Sequence, residues 1–208
     1  MSLDLVVNVV IAGLLTGLVY GLMALGLSVI FGVVRVVNFA HGEMMTIAMY
    51  AATVLFAALK LDPFLAMLPV AAAAALFAFF KFTLTGKAIR ACADNYLGAK
   101  VVGLNVKKYY SLTFGLGSAC VAVAGCAMVL LVDVTPPLGP YYTLLAFVIV
   151  IVGGLGSMTG ALLGGVLIGV SEALAGLFIA PSAKSMFSFG LLILVLLLRP
   201  QGLLGRRP

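Results

Sequence analysis

Residues 85–110 read TGKAIRACADNYLGAKVVGLNVKKYY, a polar and basic stretch set between long uncharged ones. Together with Lys81 just ahead of it, it carries Lys87, Arg90, Lys100, Lys107 and Lys108, half of the chain's twelve basic residues, against one acid, Asp94. Almost everything around it is apolar. Charge-free runs occupy 5–34, 44–59, 63–80, 111–132 and 134–171, and a bilayer-spanning helix needs about 20 mostly apolar residues. Of 208 residues, 9% are charged and 64% hydrophobic, whereas about a quarter of a soluble domain is charged. Mean hydropathy is +1.30. This composition excludes a water-soluble core and predicts an all-α polytopic transmembrane bundle, one domain over 1–208. A β-barrel would show short alternating segments instead.

A net charge of +6 invites a nucleic-acid reading, but the basic residues gather at the ends of apolar runs. That is the distribution membrane orientation produces, so no nucleic-acid partner is expected. The opening MSLDL lacks the positive region of a cleaved signal peptide and runs into too long an apolar stretch for one, so the first helix is expected to be retained. Cys92, Cys120 and Cys126 have no metal-ligand spacing and read as small apolar fillers. Neither a metal nor a cofactor is expected.

The first span is expected over Leu5–Val34, where Gly13, Gly17 and Gly21 repeat every four residues and form a groove for another backbone. The second runs from about Val37 to Leu59 and opens with Asn38, His41 and Glu43. Lys60, Asp62 and Pro63 turn the chain into a third, Phe64–Phe80. Beyond the basic stretch come Ser111–Val132 and a turn at VDVTPPLGP. From Tyr141 to Ser171 no residue is charged, about 46 Å if helical throughout. GGLGSMTG (153–160) must therefore break it into Tyr141–Val152 and Ala161–Phe178. Gly160/Gly164 and Gly165/Gly169 offer further packing faces, and Met186–Leu198 is the last span.

Counting charges orients the chain. With 85–110 inside, Arg35, the six basic residues of 81–108, Arg199, Arg206 and Arg207 face the cytoplasm, leaving Lys60 and Lys184 outside. The expected topology has about seven spans, the N-terminus outside and the C-terminus cytoplasmic. A re-entrant pair over 141–178 would break that parity.

GLVYGLMALGLSVIFGVVRVVNFAHGEMMTIAMY (17–50) resembles the amino-terminal signature of LivH-type permeases, membrane subunits of branched-chain amino acid ABC importers. GKAIRACADNYLGAKVVGLN (86–105) is similar to that family's cytoplasmic loop, and GGLGSMTGALLGGVLIGVSEAL (153–174) and LLILVLLLRPQGLLGR (191–206) follow in the family's order. One departure stands out. Family members are longer, and here Phe79–Phe80–Lys81 runs almost directly into Thr85–Gly86, as if an internal segment were missing.

The resemblance implies a permease in the plasma membrane of a bacterium or archaeon. Its partners would be a second, homologous or identical permease subunit, cytoplasmic ATP-binding subunits, an external substrate-binding protein and membrane lipid. ATP hydrolysis would reside in the partners, so the chain itself would not be an enzyme. Residues 85–110 would hold a coupling helix seated on the ATPase. Gly86 would end the preceding span, and Lys87–Ala99 has the composition of a helix. Arg90 would supply a charged contact, Ala91 and Ala99 would permit close docking, and Gly103 with Asn105 would close the helix. The other reading of this stretch is a solvated loop that only satisfies charge orientation.

Asn38, His41 and Glu43 are polar groups near membrane depth, where such groups face a cavity or pair with one another. They either contact substrate in transit or serve a structural role, Asn38 capping the second span. Gly153, Gly154, Gly156 and Ser157 either line a gate, as broken helices do in transporters, or only turn the chain. They lack the terminal Lys-Ser/Thr of a phosphate-binding loop. Glu172 is expected to make an interhelical hydrogen bond. Two other functions compete: a scaffold or non-transporting remnant, suggested by the missing segment, and a secondary carrier or channel. A carrier would show matching broken segments in both halves, and only 153–160 stands out.

Overall fold

The computed structural model describes residues 3–59, 78–79, 82–180, 182 and 184–205. Among them the structure is helical throughout: α1 (Leu3–Val34), α2 (His41–Leu59), α3 (Leu84–Asp94), α4 (Tyr96–Val101), α5 (Val106–Met128), α6 (Leu138–Gly153), α7 (Met158–Phe178) and α8 (Lys184–Leu198). Of these, α1, α5 and α7 are long and apolar enough to cross a membrane, and α6 and α8 are shorter apolar helices. The expected third span, Phe64–Phe80, lies outside the described residues apart from 78–79, as do Lys60, Asp62, Pro63, Lys81, Arg206 and Arg207.

The long apolar run at the amino-terminal end forms one unbroken helix, and α1 is the axis of the bundle. Met23, Ala24 and Leu25 are fully enclosed, whereas Leu5, Val7, Ile11 and Leu15 are exposed. Its most extensive partner is the antiparallel α7, and small residues make that contact possible. A Cβ on Gly17 would lie 2.7 Å from the Val166 Cα, and one on Gly13 2.8 Å from the Ala173 Cβ. Gly165 and Gly169 return the contact against the backbones of Gly21 and Gly17. The adjacent face of α7 meets α6, where Gly160 abuts Gly153 and Gly164 lies against Ile149. A second crossing on α1, not expected from the sequence, sets Gly26 against Gly117 of α5. Without a hydrophobic force between helices in lipid, close backbone approach of this kind is the main source of association.

The α1–α2 connection corrects the expected second span. Helix begins at His41 rather than Val37: Arg35 adopts φ 56, Val36–Asn38 have no regular structure, and Phe39 and Ala40 form a turn. A His41 ring nitrogen, Nε2, lies 3.0 Å from the Met23 carbonyl, eleven residues before the end of α1 and so about 16 Å along its axis. The connecting residues therefore double back along the bundle. At the start of α2 the Gly42 N–H donates to Thr143 Oγ1 (2.9 Å), and Gly42 packs on Gly139 of α6.

The break in 141–171 falls at Gly154–Ser157, between α6 and α7. Gly154 (φ 107) and Gly156 (φ 77) adopt backbone angles that L side chains rarely reach. Ser157 caps α7 by accepting from the Gly160 N–H at 3.1 Å. Helical Leu138–Pro140, Gly153 and Met158–Gly160 extend the two expected spans, and likewise α5 is shifted to Val106–Met128 and α8 begins at Lys184. The chain after α8 then folds under this turn. Leu203 N–H donates to the Val152 carbonyl (2.8 Å) and Leu204 N–H to the Gly153 carbonyl (3.0 Å), satisfying groups α6 would otherwise leave open.

Candidate functional site

The basic stretch forms two short helices, not the single helix expected over Lys87–Ala99. Asn95 divides them. Its backbone is extended (φ −147, ψ 101), its N–H closes α3 on the Ala91 carbonyl, and its Oδ1 accepts from the Gly98 N–H at 2.8 Å to cap α4. One asparagine is thus a C-cap and an N-cap at once. Nor does Gly86 end the preceding span: it lies in the first turn of α3, its N–H held by the capping Thr83 Oγ1 at 3.0 Å. Gly103 (φ 82) does close α4. Its N–H bonds to the Lys100 carbonyl and the Leu104 N–H to the Ala99 carbonyl, a Schellman closure. Asn105 opens α5 by accepting from the Lys108 N–H.

These caps fix which side chains point outward. Gly86, Ile89 and Cys92, spaced three apart, are buried, and α3 packs on α1 and α5. Lys87, Arg90, Ala91 and Asp94 are exposed on the other face. Ala99, expected at the docking face, is instead 3% exposed and packs inward with Cys92 and Val106. The outward surface of α4 is apolar: Leu97, Val101 and Val102 are 70%, 86% and 76% exposed. Lys100 reaches over the Tyr96 ring, its Nζ 5.7 Å from the centroid. A patch of exposed aliphatic side chains beside lysine and arginine, on a segment outside the long apolar helices, is a surface suited to a protein partner. Leu97, Val101 and Val102 carry no signal in the sequence, because three apolar residues show no period until Asn95 breaks the helix.

The candidate gate residues separate into two groups. His41 is fully buried at the α1–α2 contact and Gly42 behind it is buried against Thr143. His41 thus sits between α1 and α2 with Nε2 on the Met23 carbonyl and Nδ1 without a hydrogen-bond partner. Asn38 accepts from the Ala40 N–H at 3.1 Å and does not cap α2 directly, and Glu43 is exposed with its carboxylate against Gly139. Gly153 and Gly154 are buried against Gly160 and the Leu204–Gly205 segment. Gly156 and Ser157 alone among these residues open on a cavity of about 760 Å³, bounded by the end of α1, the exposed face of α3 and the α6–α7 turn. The glycines expected at packing faces, Gly13, Gly17, Gly21, Gly160 and Gly164, all lie at helix contacts within this chain.

Glu172 of α7, 5% exposed, accepts hydrogen bonds from Tyr20 of α1 (3.2 Å) and from Ser188 of α8. The expected interhelical hydrogen bond is present, and it joins three helices.

A glycine-packed bundle with an exposed basic and apolar end matches a family model described as branched-chain amino acid transport system / permease component, over residues 9–84 and 64–196. The chain belongs to this permease family. The two matched stretches overlap at 64–84, beside the point where the sequence pattern placed a missing segment. The chain is similar to the high-affinity branched-chain amino acid transport system permease protein LivH of Salmonella typhimurium, 40% identical over 158 residues, 74% of this chain and 48% of the relative. It is similar also to BraD of Pseudomonas aeruginosa, a permease protein of the same description, 42% identical over 122 residues (58% of this chain, 40% of the relative). An archaeal relative, the probable branched-chain amino acid transport permease protein LivH of Methanocaldococcus jannaschii, is 32% identical over 127 residues, 58% of this chain and 40% of its own length. The chain spans about half the length of the curated relatives it matches. No solved structure matches it.

Proposed function

We propose that this permease component is a membrane-spanning subunit of an ABC importer in a bacterial or archaeal plasma membrane, forming part of the path for branched-chain amino acids. In this reading α3–α4 is the coupling segment seated on a cytoplasmic ATP-binding subunit, which hydrolyses the ATP. An external binding protein delivers substrate, and a second permease subunit completes the path. The topology has about seven spans with the N-terminus outside and the C-terminus inside, supported by the ten-to-two distribution of basic residues.

The exposed face of α3–α4 carries the proposal. Lys87, Arg90, Leu97 and Val101 face outward while Ile89 and Cys92 lock the opposite face to the bundle. A push on that face is therefore delivered to α1 and α5, the helices α3 packs on. The α6–α7 turn stands across the cavity from α3, so the same movement changes the opening at Gly156 and Ser157.

Co-expression with a candidate ATPase and purification through the permease tests this. Arg90→Glu reverses a charge in the contact, and Val101→Asp places a carboxylate in its apolar part. Both are expected to lower ATPase recovery several-fold relative to the parent. Undiminished recovery with both variants would contradict the coupling role. Because the match spans about half the length of its relatives, a scaffold that binds the ATPase without transporting is the second reading, and leucine uptake into vesicles separates the two.

A further inference from the structure

The last carbonyls of a helix need partners from outside it, and α6 finds them far along the chain. α4 closes its own end through Gly103 and Leu104, whereas the Val152 and Gly153 carbonyls of α6 are taken by Leu203 N–H (2.8 Å) and Leu204 N–H (3.0 Å), beyond α8. Residues 199–205 turn back to reach them, Gly202 N–H donating to the Arg199 carbonyl at 2.9 Å. The fit is backbone against backbone. Gly202 (φ 79) is buried, and a Cβ on it would lie 2.5 Å from the Ile151 carbonyl oxygen and 2.6 Å from the Gly154 Cα. Gly154 (φ 107) answers from the turn, where a Cβ would collide with the Gly205 nitrogen. On its other side the turn rests on α1, Gly156 lying against Gly32. The α6–α7 turn is thus held between the end of α1 and the returning segment.

Two features make this segment separable from the bundle. α8 stays in place without it, because α8 packs on α6 and α7 and its Ser188 donates to Glu172. The segment also buries little side chain: Leu203 packs on the core, while Gln201 and Leu204 are exposed. A contact made by two backbone hydrogen bonds and few apolar side chains belongs to the low-stability end of a fold, which opens while the rest stays closed. Leu204 also lines the cavity of about 760 Å³ beside Leu155, Gly156 and Ser157. Where the segment sits therefore sets how wide the cavity is on that side.

We propose that residues 199–205 are a latch on the α6–α7 turn. Docked, they hold Gly154–Ser157 against the end of α1 and keep the cavity narrow. Released, they free the turn and with it the N-terminus of α7, and the cavity widens on the Leu204 side. The use of such a latch, to admit a solute at the α3 end of the bundle, rests on the permease reading above; its docking and release do not.

Amide hydrogen exchange of the full chain in lipid nanodiscs reads the latch directly. Gly202→Ala places a side chain where neither the backbone angle nor the space allows one. It is expected to accelerate exchange at Leu203 and Leu204 at least tenfold and at residues 155–157 several-fold, with α4 unchanged. Leu204→Pro removes one of the two donors and leaves the glycine contacts. It is expected to act in the same direction by a smaller factor, and it keeps the question measurable if Gly202→Ala misfolds. Faster exchange at 203–204 with 155–157 unmoved would make the segment a frayed end and overturn the latch. Acceleration that spreads to α4 would make it a general support of the bundle and overturn it too. Neither an ATPase nor leucine enters this measurement, so the latch stands or falls apart from the coupling role, which the co-expression assay reads.

Discussion

Tyr20 on α1 donates its hydroxyl proton to Glu172 Oε2 on α7 at 3.2 Å, and the second oxygen of the same carboxyl accepts from Ser188 on α8. One buried side chain therefore holds three helices in register. Removing one donor with Tyr20→Phe is expected to cost about 0.6 kcal/mol, the average for such bonds in membranes. Glu172→Leu removes the acceptor the two hydroxyls share, leaving Ser188 the Lys184 carbonyl at 3.3 Å, and is expected to cost about 1–3 kcal/mol; Glu172→Gln, which keeps acceptor capacity, costs less. Thermal unfolding of the purified chain in detergent ranks them.

Glycines at crossings and glycines at open positions predict opposite signs. Gly17→Ala puts a methyl 2.7 Å from the Val166 Cα, forcing α1 and α7 apart at a cost of about 1–3 kcal/mol. Gly115 of α5 has nothing within 4 Å of its added Cβ, so Gly115→Ala is expected to stabilise by up to about 1 kcal/mol through helix propensity. The same unfolding assay reads both.

Asn95 separates α3 from α4 by two hydrogen bonds, one from its backbone and one to its side chain. Asn95→Ala removes the cap of α4, a loss of about 1 kcal/mol. Amide hydrogen exchange over residues 97–101 is expected to accelerate about fivefold, while α5 is unchanged.

Cys92 lies under α3 at 1% exposure, and burial pushes its thiol above the ordinary range. A raised pKa keeps the neutral form dominant near pH 7, and only the thiolate reacts with maleimides. Modification of Cys92 is expected to be slower than that of Ala91→Cys on the exposed face, with the gap narrowing as pH rises. Equal rates at pH 7 would mean α3 is not docked.

Much of this arrangement was legible in the residues. The four-residue spacing of Gly13, Gly17 and Gly21 announced a close contact, and the length of 141–171 demanded a break, which the glycines at 153–156 supply. That α7 is the partner was not legible, since a groove of glycines fits any helix with small residues. The return of 35–40 along the bundle was hidden because Val36, Val37 and Phe39 are as apolar as a helix would require. His41 was open between substrate contact and a structural role, since one polar side chain in an apolar run marks a cavity or a carbonyl equally well; the fold sets its ring 3.0 Å from the Met23 carbonyl. Asn95 is an acceptable helix residue by propensity, so its role as a double cap emerges only from the backbone angles around it.

The coupling role requires the α3–α4 face on the cytoplasmic side, where an ATP-driven partner can grip it. Replacing the three native cysteines and introducing Lys100→Cys allows a membrane-impermeant maleimide to report the side directly. Labelling is expected in inside-out vesicles and not from outside intact cells; labelling from outside intact cells would rule out a cytoplasmic α3–α4 face.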